Sequence, residues 1–441
     1  MWSQETISSP VPGHTDENTH LDHDNNRGKF MYITYWNPPK TRQITFDEIL
    51  NGVVDVNQIK NYGDKTSTLT VSRKDLTKKL RAITNVPKMV SQLKEFNDKY
   101  VALEAEQDLS QHYRHFYLPK KSGGWRPIDA PDKILGDALT ELRELLKSFM
   151  IADYHTAAHA YIENRSILTA VRTHQKGHLR WVTNPETGER EQKVFENNWG
   201  ASFDLHAFFP SVTMEFLMGT LSTIYPFALI METQYGRQQL SKALKIAFLH
   251  GGLPQGSQLS PWLTNVFMIP FDYMMSRKLR KKYRMRDGVE RDFTYTRYAD
   301  DIDISCYLSF DPTEIEDLIK NILNFMHAPF TLNEKKTHYG NRHSSKNWML
   351  GLMWNKDNEI TVGWRNLKTF KAQCVYYIDA KKHGKDWTLE DVQSFMGTIN
   401  YYHMVEPDVI DGIIHRINDK FGVDLIKMVK ADLRPKEGEV A

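Results

Sequence analysis

Three aspartates carry the most legible chemistry in this chain: Asp204, Asp300 and Asp301. Asp204 closes an apolar, strand-like run, WGASFD. Asp300 and Asp301 fall at the tip of an expected hairpin, TYTRYADDIDISCYL, with β-forming residues on both sides. Carboxylates beside buried strands are costly unless something neutralises them. A divalent cation does so, and Mg²⁺ needs only a few carboxylates plus substrate phosphates. Two such ions, roughly 3.5–4 Å apart, activate a hydroxyl nucleophile and stabilise a leaving pyrophosphate. An isolated Asp-Asp pair is most often an ordinary turn, so the meaning of this one depends on its company.

That company is specific. The pair stands as Arg297-Tyr298-Ala299-Asp300-Asp301, about forty residues after LPQGSQLSP (253–261), which itself follows FDLHAFFPSV (203–212). These blocks, in this order, resemble the palm motifs of reverse transcriptases: D-x-x-x-F-F-P-S, then L-P-Q-G-x-x-x-S-P, then Y-x-D-D. The chain is similar to the bacterial branch that includes retron, group II intron and phage-defence enzymes. The resemblance runs from about residue 113 to 355.

It implies an α+β right-hand polymerase with fingers, an antiparallel-sheet palm of ferredoxin-like core, and a helical thumb. It also implies two Mg²⁺ ions, with Mn²⁺ as an alternative, on Asp204, Asp300 and Asp301, the last more peripheral. Phe209 falls where the family places an aromatic ring that collides with a ribose 2′-hydroxyl, which favours dNTPs. Gln255 and Gly256 would lie beside the nucleotide, the glycine permitting close backbone approach. On the KKSGGWRPI hairpin, Lys121 and Arg126 would contact the triphosphate, a role the guanidinium fork suits. Lys336, in the N-x-x-K-T block at 333–337, would protonate the leaving pyrophosphate. Leu350 and Gly351 match the turn that grips the primer end. QSFMGTINYYHMVEPD (393–408) resembles the thumb, whose helices track duplex phosphates.

The elements that must position these residues follow from hydrophobic period and punctuation. HYRHFYLPKKSGGWRPIDAP reads as a hairpin turning at Lys-Lys-Ser-Gly-Gly, and DKILGDALTELRELLKSFM as an amphipathic helix. VTNPETGERE marks an inserted hairpin near 175–198. QLSPWLTNVFMIPFDYMMSRKLRKKY reads as one long helix with Pro261 in its first turn. PTEIEDLIKNILNFMHA reads as a helix, FTLNEKKTHYG as a strand, and 365–435 as mostly helical. The expected domains are a disordered or extended tail (1–28), a helical N-terminal extension (29–110), fingers (111–200), palm (201–355) and helical thumb (356–441).

Composition bounds the alternatives. The chain has 441 residues, 40% of them hydrophobic, which is enough for more than one domain. No apolar run approaches a membrane span, and no secretory signal is visible. Two cysteines, Cys306 and Cys374, cannot make a disulfide framework or a four-ligand zinc site. A bacterial cytoplasmic location is expected. The net charge of +2 does not identify a nucleic-acid binder, although Lys and Arg cluster at KLRKKYRMR (278–286).

The chain departs from retron enzymes in two places: Met349-Leu350-Gly351 replaces V-T-G, and Thr169-Ala170 with His174 replaces N-A-x-x-H. About 90 residues follow Gly351, too few for a maturase region plus an endonuclease. These departures point to the defence-associated enzymes. The expected function is RNA-directed DNA synthesis on a dedicated, structured non-coding RNA, giving a DNA product from dNTPs, in antiphage defence. Protein-primed or template-independent synthesis of the abortive-infection type, retron-type msDNA synthesis and a relict RNA-binding scaffold are the alternatives. A homo-oligomer or an accessory effector protein stays open. Asp303, an acid where the family has an apolar residue, shares a face with Asp301 by alternation and has no assigned role.

Overall fold

The computed structural model describes residues 84–120, 123–150, 154–279, 283–344 and 347–433. The tail at 1–28, the periodic segment before residue 84 and Lys121 lie outside them.

Helix α1 (Val86–Lys99) starts where the Asn85 side chain accepts from the Lys88 N–H, with proline in its first turn. Strands β1 (Tyr113–Pro119) and β2 (Trp125–Pro131) form the expected hairpin, in full register from Tyr113↔Pro131 to Pro119↔Trp125. Helix α2 (Lys133–Phe149) is capped by Asp132, whose carboxylate accepts from Leu135 N at 2.8 Å. It buries Leu135, Leu139, Leu142 and Leu146, one stripe at helical spacing. Helix α3 (Ile167–Gln175) opens with a reciprocal capping box between Ser166 and Thr169. The inserted hairpin is β3 (His178–Thr183) with β4 (Arg190–Phe195).

The central sheet holds the site. Its long strand β5 (Trp199–His206) leads into helices α4 (Met214–Leu221), α5 (Gln234–Lys245), α6 (Ser260–Phe267) and α7 (Ile269–Leu279). A small ribbon, β6 (Tyr283–Arg284) and β7 (Glu290–Arg291), precedes β8 (Phe293–Tyr298) and β9 (Asp301–Cys306). Helix α8 (Pro312–Phe325), β10 (Thr331–Leu332) and β11 (His338–Asn341) follow. The antiparallel order is β10-β5-β9-β8, with β11 also pairing β5.

Period-two alternation sorts this sheet into two faces. Phe203, Leu205, Ile302 and Ile304 point into the main hydrophobic core beneath it. The opposite face carries the cross-strand rows Asp204–Asp301–Tyr298 and Ser202–Asp303–Thr296. Over that face lie α3 and a three-stranded sheet of β12 (Trp348–Met349), β13 (Leu352–Trp354) and β14 (Ile360–Thr361), sharing a second core through Val171, Leu352 and Trp354. Helices α9 (Trp364–Lys382), α10 (Leu389–Val405), α11 (Pro407–Phe421) and α12 (Leu425–Asp432) pack around a third core that includes Phe370, Tyr377 and Ile413.

Two elements differ from the sequence expectation. The single long helix from 260 is broken at Met268 into α6 and α7. Pro270 has no N–H to continue the ladder, and Met268 takes a tightened end turn (ψ −5°). The expected strand FTLNEKKTHYG is split into β10 and β11 by a 3₁₀ turn at Glu334–Lys336. There the Asn333 N–H pairs with Asp204 O at 2.8 Å, and the turn lifts Lys336 off the sheet plane toward Asp204.

Candidate active site

The sheet places Asp204 and Asp301 directly opposite one another on neighbouring strands. Between β8 and β9 the chain reverses through Ala299 in a left-handed conformation (φ 58°). The Asp300 carbonyl then accepts from Leu205 N at 3.0 Å, tying the turn to β5. Two acids on neighbouring strands and one on the turn between β8 and β9 are therefore brought to one end of one sheet.

Their electrostatics carry the mark of that crowding. Burial, reinforced by Asp300, Asp303 and Asp204, pushes the Asp301 carboxyl up to about 7. Asp300 is raised as well, by burial and then by the charge of Asp204. Lys336 opposes them: its Nζ donates to both Asp204 oxygens, at 3.0 and 3.1 Å. The Asn333 amide adds a 3.3 Å contact to Asp204 Oδ2.

Among the described residues no three His, Cys, Asp or Glu side chains converge closely enough to hold a metal ion unaided. The donor set nevertheless suits a hard divalent cation. It offers only carboxylate oxygens, with an excess of negative charge, and one acid already holds an ammonium where a cation is favoured. Such sites commonly complete their coordination with substrate phosphates.

The surrounding loops are packed onto the acids' strands. After Asp204 the chain turns through Ala207, also left-handed (φ 50°). Phe208 is then buried against Phe267 and Phe330, while Phe209 is only partly buried and packs edge-on to Phe208. Of the two rings, Phe208 belongs to the core. Leu253 N donates to Phe209 O at 3.1 Å, and a Cβ on Gly252 would meet the Pro210 carbonyl oxygen at 2.1 Å. The LPQG loop is thus seated against the segment that carries Phe209.

Gln255 and Gly256 meet the hairpin. The Gln255 carbonyl accepts from Asp129 N at 2.7 Å. Gly256 has φ +122°, and a Cβ there would lie 2.7 Å from Asp129 O. The close approach this glycine permits is to strand β2, a partner that its sequence neighbours do not reveal. Arg126, exposed on β2, lies within electrostatic reach of Asp300.

Leu350 and Gly351 form the two-residue turn between β12 and β13, both at positive φ (50° and 78°). Such a turn suits the right-handed twist of a hairpin. The Trp348 ring lies on Gly363, just before α9.

Three features near the acids had weak signals in the sequence. Tyr161 is within electrostatic reach of Asp300, Asp301 and Arg126. His174 is fully buried and bridges two strands, its Nε2 at 2.8 Å from Thr296 Oγ1 and its Nδ1 at 2.7 Å from Ser305 Oγ. Burial holds its imidazole down at about 3. Asp303, also fully buried, accepts from Ser202 Oγ, and burial raises it to about 6. Its Oδ2 has no protein partner.

A family model described as reverse transcriptase (RNA-dependent DNA polymerase) matches residues 118–361. The chain is similar to the retron Mx162 reverse transcriptase of Myxococcus xanthus, 25% identical over 331 residues that cover 70% of this chain and 61% of that one. It is also similar to the retron Ec83 reverse transcriptase of Escherichia coli, 24% identical over 330 residues covering 72% and 90% respectively. Among solved structures, telomerase from Candida albicans in complex with a TWJ fragment of telomeric RNA aligns over 83% of this chain and 76% of its own, with 13% identity and a TM-score of 0.37.

Proposed function

Because the chain belongs to the reverse transcriptase (RNA-dependent DNA polymerase) family, we propose that it extends a primer with dNTPs on an RNA template at the Asp204, Asp300 and Asp301 cluster. The observation that carries this reading is the cross-strand pairing of Asp204 with Asp301, beside a turn that adds Asp300.

Asp204, Asp300 and Asp301 would hold two divalent cations, with Mg²⁺ the expected ion. Bound there, the ions supply Lewis-acid activation of the primer hydroxyl and neutralise the developing pyrophosphate charge. The rest falls to the chain's own side chains. Phe209, partly buried on its turn, would supply the ring that excludes a 2′-hydroxyl. Arg126 and Lys121 would bind the triphosphate, and Gln255 would border the base pair. Lys336 would exchange Asp204 for the pyrophosphate and donate its proton there. The Leu350-Gly351 turn would hold the primer end, with the exposed Lys368 and Lys371 of α9 facing duplex phosphates.

The template in this reading is a structured non-coding RNA, and the biological setting is antiphage defence, as the resemblance to that branch implies. A second reading, retron-type synthesis, is favoured by the curated relatives, which are themselves retron reverse transcriptases. Here the His174 position is informative. Its spacing differs from the retron signature, yet its ring is anchored deep between β8 and β9.

Purified protein given Mg²⁺, dNTPs and a primed RNA should extend the primer, and Asp300→Ala should abolish extension. Equal extension by that variant would reject the assignment. DNA made without RNA and linked to a Tyr or Ser would move the chain to the untemplated class. Sequencing copurifying nucleic acid separates a retron-like RNA–DNA product from a free transcript.

A further inference from the structure

One buried ion pair outside the acid cluster reaches the cluster's own turn. Arg297 and Asp272 are sealed from solvent, with side-chain exposures of 0% and 1%. Arg297 Nε and Nη2 donate to the two Asp272 oxygens, each at 2.8 Å. Nη2 also reaches Asn265 Oδ1 at 3.4 Å, and Nη1 donates to the Ala299 carbonyl at 3.1 Å. Tyr295 donates its hydroxyl to Asp272 Oδ1 at 2.6 Å. The backbone of Arg297 is pinned too, donating to Ala157 O at 2.7 Å and accepting from His159 N at 2.8 Å.

Two points set this pair apart from a stabilising contact. Buried ion pairs are poor stabilisers, since well-packed apolar side chains of similar volume do as well or better. This pair also has a directional output: one arm of the fork satisfies the buried carbonyl of Ala299, the left-handed residue immediately before Asp300. Asp272 lies on α7, which follows the helix entered from the LPQG loop. The pair therefore links the helices behind the Phe209 segment to the turn that aims the carboxylates.

We propose that Arg297, oriented by Asp272, is a positioning residue that fixes the Ala299–Asp300 turn and so the aim of Asp300 and Asp301 toward divalent cations. This rests on the polymerase reading above, but the cation readout below does not need it. A lysine at 297 could pair with Asp272 yet has no planar fork to hold Ala299 O at the same time. Tyr295→Phe removes a donor to Asp272 and leaves the Ala299 contact in place.

The test compares wild type, Arg297→Lys, Tyr295→Phe and the apolar double variant Arg297→Met with Asp272→Leu, which leaves no unpaired buried charge. Primer extension is read as kcat, KM for dNTP and half-saturating Mg²⁺. Mn²⁺ binding to each free protein is read separately by calorimetry, and folding by thermal melts. Arg297→Lys and the double variant should lose kcat by about 10- to 100-fold, as expected for misplaced catalytic groups. KM for dNTP should stay within about threefold, while half-saturating Mg²⁺ rises and Mn²⁺ binds more weakly. Tyr295→Phe should keep the wild-type cation dependence. Folded Arg297→Lys or double variant with wild-type kcat and cation binding would overturn the proposal. So would Tyr295→Phe losing cation affinity as much as Arg297→Lys, since the effect would then follow general packing. Wild type that fails to extend a primer, yet binds Mn²⁺ in an Arg297-dependent way, would sink the polymerase reading alone.

Discussion

At the scale of single residues, the acid cluster is built against the stability of the cation-free chain. Asp301 has an ordinary pKa near 3.8 when unfolded and about 7 in the fold, because burial and its acidic neighbours disfavour charge. A carboxyl raised in this way costs stability once the pH exceeds 3.8, and the cost is complete above about 7. Asp301→Asn should therefore raise the melting temperature of cation-free protein at pH 8, by about 1–2 °C for each kcal/mol relieved in a chain of this size. The gain should shrink as pH falls through about 7 and vanish near 4. The same variant should lose extension, and Mg²⁺ should raise its melting temperature less than wild type's. Thermal melts across pH with and without Mg²⁺ check this, and a variant no more stable than wild type at pH 8 would contradict it. Asp204, Asp300 and Asp301 were legible because their motif neighbours are distinctive. Arg297 and Asp272 were not, because neither partner's type or spacing predicts a pair twenty-five residues apart. The available hints were a lone acid in the apolar stretch IPFDYMM and an inward-phased arginine in a strand.

At the scale of elements, the hairpins and amphipathic helices were readable from turn residues and period, whereas their junctions were not. The break at Met268 follows from the N–H that Pro270 lacks, and the 3₁₀ turn at Glu334–Lys336 from the partner that Asp204 O offers Asn333; hydrophobic period is blind to both. Gly256 illustrates the same limit. Its need for a bare backbone was visible, but the partner is Asp129 on β2 and lies 127 positions away in the chain. Gly256→Ala would set a methyl 2.7 Å from a carbonyl oxygen at a φ that L-residues avoid. The expected cost is about 1–3 kcal/mol in chemical denaturation. Because the strain separates the loop from the hairpin bearing Arg126, KM for dNTP should rise as well. Unchanged stability and KM together would show that the loop–hairpin contact opens freely in solution.

Across the whole molecule, the sheet's acid-bearing face is covered by a second layer of α3 and β12–β14, and His174 is its buried polar anchor. Comparison with a retron signature could flag this histidine only by its altered spacing; its burial follows from α3 crossing β8. An imidazole held at about 3 in the fold and near 6.5 when unfolded binds its proton only in the unfolded chain between those values. Stability is then full above 6.5 and falls as pH drops toward 3. Asp301 and Asp303 act in the opposite sense, since protonation is easier for them in the fold. The net slope of the wild type is a sum of opposing slopes and assigns nothing to any one group. The difference between wild type and His174→Gln cancels the acids. That difference should shrink by about 2 kcal/mol between pH 7 and pH 5, because a proton taken up only by the unfolded chain favours it by about 1.4 kcal/mol for each tenfold rise in proton activity. Urea denaturation of both proteins at half-unit pH steps measures it. A pH-independent difference would mean that His174 takes up its proton as readily in the fold as in the unfolded chain, with Thr296 and Ser305 as acceptors, and would overturn the buried neutral imidazole.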